Sequence, residues 1–214
     1  NPLLEYGAHA RRDGYQKMFA QRARESAANL RRKSTRGLAT EDFQLLRSFL
    51  LAMAATHADV QLVLYPYHAQ MLAMFEAAGL WPLFEEWKTQ LVLAIAAVKA
   101  QHPDAHISLI DFSGYGRYNC ERIPAANERG MATRWYWEAG HFKKALGDIV
   151  LRRVMAPRDS APGEGQFGMP LDGASLAQNS ARIAQERSVC AAAQPALFSS
   201  PLLAAQHGYT GGGR

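Results

Sequence analysis

Long hydrophobic runs are missing from this chain. The longest, Leu91 to Val98, has the length of a buried helix segment and falls well short of the ~20 apolar residues that a membrane-spanning helix needs. Cysteine is scarce. Cys120 and Cys190 have no metal-ligand spacing, and two cysteines neither prove nor exclude an oxidising compartment. No glycine-rich loop follows a strand-like segment, which argues against a nucleotide site. No His-Glu-x-x-His occurs, so the metalloprotease pattern is absent. Gly-Asp-Ser, Gly-x-Ser-x-Gly and Gly-x-Asn-Asp are absent too, and Ser34, Ser48 and Ser113 lack the glycine-flanked turn of a nucleophile. There are no internal repeats and no visible signal peptide.

What is present is an ordinary globular composition: 48% apolar residues, 20% charged ones and a net charge of +5. Much of that charge sits near the start, on Arg11, Arg12, Arg22, Arg24, Arg31, Arg32, Lys33 and Arg36. A basic cluster suits nucleic acid or an anionic membrane. From Arg22 to Arg36 no aromatic residues are interleaved as a base-stacking platform needs, so we read the cluster as a solvated helix face and expect no nucleic-acid partner. The chain begins Asn1-Pro2-Leu3-Leu4 rather than with Met, which is read as a processed product or a piece of a longer polypeptide.

The pattern of elements is an alternation. Residues 5–32 read as a long helix interrupted at Gly14, and Thr40 is expected to cap a second with core face Phe43, Leu46, Phe49, Leu50 and Met53. Asp59–Tyr65 is a short apolar strand ended by Pro66, and a helix follows from about Ala69 to Gly79. Leu80–Ala100 is a further helix with Pro82 in its first turn. His106–Asp111 is the second strand, followed by an irregular stretch to Met131 and a short extended piece near Thr133–Trp137. Phe142, Leu146, Ile149, Val150 and Val154 mark the apolar face of the next helix. A Pro/Gly-rich loop, 156–170, leads to a last helix through Arg187, and a disordered tail is expected at 195–214. This divides the chain into a basic helical region (1–38), an α/β core (39–156), a loop with a C-terminal helix (157–194) and the tail (195–214).

Such alternation predicts a parallel sheet with helices on both faces, with ligands beyond the carboxyl ends of the strands. Three segments then share one edge: Tyr65-Pro-Tyr-His68, Asp111–Tyr115 and Glu138-Ala-Gly-His141. A carboxylate near a histidine fixes its tautomer and stabilises its charged form, which is the supporting role in a catalytic triad. The bland reading of Glu-x-x-His is a cap or a surface residue. For His68 it is a helix-start residue that meets solvent, against a substrate contact. Tyr65, Tyr67 and Ser113 are rim candidates for substrate. A metal held by Glu138, His141 and His68 finds no fourth ligand, so neither metal nor other cofactor is expected.

Glu138-Ala-Gly-His141-Phe, followed by Leu146-Gly147-Asp148-Ile149, resembles the last block of the SGNH (GDSL-like) hydrolases, which reads Asp-x-x-His and then a helix. Over roughly residues 40–155 the order of strand ends is similar to the bacterial cell-surface branch, related to alginate-type O-acetyltransferases and D-alanyl-lipid transfer proteins. The resemblance implies a flavodoxin-like three-layer α/β fold, incomplete at its N-terminus. It implies an esterase or O-acyltransferase acting on an acylated surface carbohydrate or lipid in the cell envelope or periplasm, with His141 as general base and Glu138 orienting it. It leaves room for membrane association through a missing N-terminal segment. Glu replaces the family's Asp, and the serine block is absent, so the nucleophile is expected outside this chain. The alternative is a non-catalytic α/β binding or assembly module that keeps the fold without the chemistry.

Overall fold

The computed structural model describes residues 2–34, 37–156 and 163–199. It is a mixed α/β structure, 58% helix, around a small three-stranded sheet. Strand β1 (Val60–Leu64) pairs in parallel with β2 (Ile107–Asp111), in the register Val60↔Ile107 to Leu64↔Asp111. The two expected strands are thus parallel neighbours. The third, β5 (Met169–Pro170), adds to β2 antiparallel, so the sheet is mixed. This pair falls inside the stretch expected as loop, since two residues carry no alternation to detect.

The core explains why these segments are strands. Val60, Leu62, Leu64, Ile107 and Leu109 face helices α3 (Thr40–Ala55) and α5 (Trp81–Gln101), where Leu50, Leu91, Ile95 and Val98 complete one apolar cluster. Ile110 turns to the other side, toward Leu146, Ile149 and Val150 of α6 (Lys144–Met155). Period-2 alternation in β2 therefore feeds two cores, as a strand with helices on both faces requires. Leu50 is fully buried, and its truncation to Ala would cost about 2–5 kcal/mol.

The N-terminal region is two helices, not one. Helix α1 (Pro2–Asp13) and α2 (Tyr15–Ser34) are separated by Gly14 at φ 80°, a backbone angle that glycine adopts without a side-chain clash. Tyr15, Met18 and Phe19 of α2 pack into the same cluster as α6, so this helix covers the site described below. Thr40 opens α3 as its first helical residue, and Ala39 occupies the cap position with no side-chain bond. Helix α4 (Ala69–Ala77) follows β1 directly. The last helix, α7 (Leu176–Ala193), starts later and runs further than the pattern suggested, and Pro195–Leu197 forms a 3-10 turn with Leu197 buried. The rest of the expected tail, 200–214, lies outside the described residues.

Cys120 and Cys190 form a disulfide that ties α7 to the segment after β2. It closes a loop across a sequence separation of 70, and loop closure of that order is worth roughly 4 kcal/mol in the chain-entropy account. Among the described residues, no helix is long and apolar enough to cross a membrane.

Candidate functional site

The site is built on a β-hairpin rather than on a helix start. Strands β3 (Tyr136–Glu138) and β4 (His141–Phe142) run antiparallel, with Ala139-Gly140 as the turn, so Glu138 and His141 face each other across the hairpin. The helical stripe had placed Phe142 on the following helix, but that helix begins at Lys144. Phe142 instead lays its ring over Gly147 of α6, where an added Cβ would lie 3.1 Å from it. The same ring packs on Tyr65, 4.9 Å between centroids, which couples the hairpin to the end of β1.

Further bonds gather the strand ends. Tyr136 Oη donates to the Pro66 carbonyl at 2.8 Å, and the His68 amide donates to the Ala139 carbonyl at 3.2 Å. Asn119 Nδ2 donates to the carbonyls of both Tyr67 and Phe112 and so joins the ends of β1 and β2. The region after β1, the end of β2 and the hairpin are therefore neighbours, as ligand-binding edges of such sheets are.

Glu138 is buried, with 3% of its side chain exposed, while His141 keeps 49%. Oε1 of Glu138 bonds His141 Nδ1. Its other oxygen accepts from Arg22 Nε at 2.9 Å and from the Gly140 amide at 2.8 Å. A carboxylate only accepts, so Nδ1 of the neutral ring carries the proton and Nε2 carries the lone pair. Tyr6 Oη, at 3.2 Å, and Arg22 Nη2, at 3.5 Å, also approach Nδ1. No described residue bonds Nε2. Burial works against the charge on Arg22, but the Glu138 carboxylate more than offsets it, and the guanidinium pKa ends above its usual value. The buried acid is thus held by a cation and an amide, and the histidine is aimed by the acid. A polar cavity of about 350 Å³ adjoins Glu138, lined also by Tyr6, His9, Lys17 and Arg22 among others.

The other predicted residues divide. His68 is fully buried and caps α4, so it does not meet solvent. Nδ1 accepts from the Gln70 amide at 3.1 Å, and Nε2 donates to the Glu121 carbonyl at 2.8 Å. Its ring meets Phe19 and Tyr136 edge-on. Burial pushes its pKa down to about 4, against the partial support of the Glu121 carbonyl, so the ring is neutral. It has no free nitrogen for a substrate. Tyr65 and Tyr67 are half-buried and in mutual ring contact. Burial pushes the Tyr65 phenol up to about 12 and raises that of Tyr67 too, so both stay protonated. Ser113 lines a different cavity, with its hydroxyl buried and unpaired among the described residues. Among the described residues, no three His, Cys, Asp or Glu side chains gather as a metal site requires.

Arg22 and Tyr6 were not recognised from the sequence as part of this site. Arg22 was counted in the solvated basic face. A signal was there: Met18, Phe19 and Ala23 are buried, and Arg22 lies at helical spacing from the first two. An arginine on the inward stripe of a helix needs an acid partner. No family model, curated protein or solved structure matches this chain.

Proposed function

We propose that Glu138 and His141 form the base half of an SGNH-like acyl-transfer site, for ester hydrolysis or O-acyl transfer on an acylated carbohydrate or lipid of the cell envelope. One observation carries the reading: a buried carboxylate holds Nδ1 of a half-exposed histidine, and among the described residues Nε2 has no partner. In that role Nε2 takes the proton of a nucleophilic hydroxyl, and the resulting imidazolium returns it to the leaving group. Glu138 orients the ring and stabilises its charge. A glutamate has one more rotatable bond than the aspartate of the resembling family, and the Arg22 and Gly140 bonds remove that freedom. The nucleophile belongs to a serine block outside these residues.

The same reading extends the sheet into a three-layer α/β fold. The Val60 amide and the Leu64 carbonyl bond toward β2, so the backbone of Gln61 and Val63 points to the outer edge of β1. Val63 is 45% exposed there, beside an apolar groove of about 360 Å³ that Trp87 and Phe84 help to line. A further strand of the catalytic domain would bond to this edge. The Cys120–Cys190 disulfide favours an oxidising compartment.

The second reading, a non-catalytic binding or assembly module, is favoured by the way Arg22 and Tyr6 clasp the pair. The two are separated by p-nitrophenyl ester turnover. The chain alone should show none. A polypeptide carrying a Gly-Asp-Ser block in cis should turn over the ester and lose that activity in His141→Ala. Turnover by the chain alone that disappears on mutating one of its own serines would refute an external nucleophile. Full activity in a folded His141→Ala variant would leave the module reading.

A further inference from the structure

A second cavity lies apart from the one beside Glu138. It encloses about 520 Å³ beyond the carboxyl end of β2, between the segment 111–120, the turn around 163–168 and one face of α7. Pockets that take small organic molecules commonly measure about 300–1,000 Å³. One wall is aromatic. Phe167 touches both Phe112 and Tyr118, with centroids 5.1 Å and 4.7 Å away. All three are buried residues that still border the open volume.

Among the described residues, the charges that line the cavity are committed, with one exception. Arg182 bonds Glu186, Asn179 and the Ser113 carbonyl. The second oxygen of Glu186 accepts from the Tyr115 amide. Asp111 accepts from the Ser113 amide and from Asn179. Arg117 alone has no carboxylate or carbonyl partner among the described residues. Its guanidinium lies 4.9 Å over the Tyr118 ring, at the mouth of the aromatic wall. A guanidinium stacked on an aromatic face keeps its N–H fork in plane and free for a planar acceptor. Ser113 borders the same volume with a buried hydroxyl that no described residue satisfies.

We propose that this cavity is a binding site for a small organic monocarboxylate with an aromatic or short aliphatic body. The carboxylate would take the Arg117 fork, and the body would lie against Phe112, Tyr118 and Phe167. Among the described residues that line the cavity, one uncommitted cation matches one negative charge, and a phosphate monoester would bring about two with no second uncommitted cation there to meet it. The site is separate from the Glu138–His141 pair and stands without the acyl-transfer reading.

The experiment titrates the whole 214-residue chain with the phenylalkanoates from benzoate to 4-phenylbutyrate, and with the neutral amide of each, by isothermal titration calorimetry. At least one acid should bind, and its amide should bind about ten- to a hundredfold more weakly, the usual weight of a charge-assisted hydrogen bond. Arg117→Gln should abolish the preference for the acid, and Arg117→Lys should restore part of it. Arg12→Gln, an exposed residue of α1 outside the cavity lining, should leave the preference intact, with circular dichroism of every variant unchanged. Equal binding of acid and amide, a preference that survives Arg117→Gln, or no binding by any acid of the series would each overturn the proposal.

Discussion

Two histidines flank the same hairpin and have opposite fates. His68 follows β1, is sealed from solvent and has both ring nitrogens taken by backbone groups. His141 lies on the hairpin, half-exposed, with one nitrogen on a buried carboxylate and the other without a partner among the described residues. Their tautomers are reversed. Nδ1 of His68 accepts, so its proton sits on Nε2, whereas the Glu138 carboxylate draws the proton of His141 to Nδ1. Position at a strand end does not make a histidine chemical. The free nitrogen does, and the partner on the other nitrogen decides which one is free.

The sharpest way to break this contrast is kinetic. On the acyl-transfer proposal, in a polypeptide that carries a serine block in cis, His141→Ala should lower kcat/KM by on the order of 10⁴-fold or more, since the nucleophile would lose its base. His68→Ala should leave the rate per folded molecule nearly unchanged. Equal losses in the two variants, measured against active-site concentration, would erase the distinction.

Stability should show the reverse order. His68→Ala removes a helix cap, the bond to the Glu121 carbonyl and two ring contacts, and should cost about 3 kcal/mol in urea denaturation. His141→Ala, at an exposed site, should stay within about 1 kcal/mol.

A pH series separates the two further. The folded pKa of His68, about 4, lies below its ordinary 6.5, so the unfolded chain takes up the proton first as pH falls. The neutral ring's contribution is complete above 6.5 and is lost progressively down to about 4, about 3 kcal/mol in all. Denaturation midpoints at pH 7.5 and 4.5 should differ by less in His68→Gln than in the native chain. A native slope that the substitution leaves unchanged would assign the proton uptake to other groups.

The smallest effect tests the aiming of His141. Glu138→Gln replaces the charged acceptor of both Arg22 and the imidazole, and should cost about 1–3 kcal/mol. Nitrogen-15 NMR should find His141 as the Nδ1–H tautomer in the native chain and as a mixture in the variant, with His68 remaining Nε2–H in both. An unchanged His141 tautomer would show that Tyr6 Oη, accepting from Nδ1, and not Glu138, sets the ring.

Some of this was legible from residues alone. The apolar runs before Pro66 and through Asp111 meant strands, and their separation by helices meant parallel pairing, because both signals are local and periodic. The helix after the hairpin and the closeness of Glu138 to His141 followed from short spacings as well. The rest depended on distant contacts. Arg22 reaches Glu138 across 116 residues, and His68 is sealed by Phe19 and Tyr136 from either side of it in sequence. The two-residue strand β5 and the tight hairpin are too short to leave a period, and a lone Gly140 does not announce a turn. What the sequence determined was the alternation of elements and the chemistry available at their ends. Tertiary structure alone decided which histidine was buried, which arginine left the solvent face and which nitrogen stayed bare, because burial is a sum over partners that the chain brings together only when it folds.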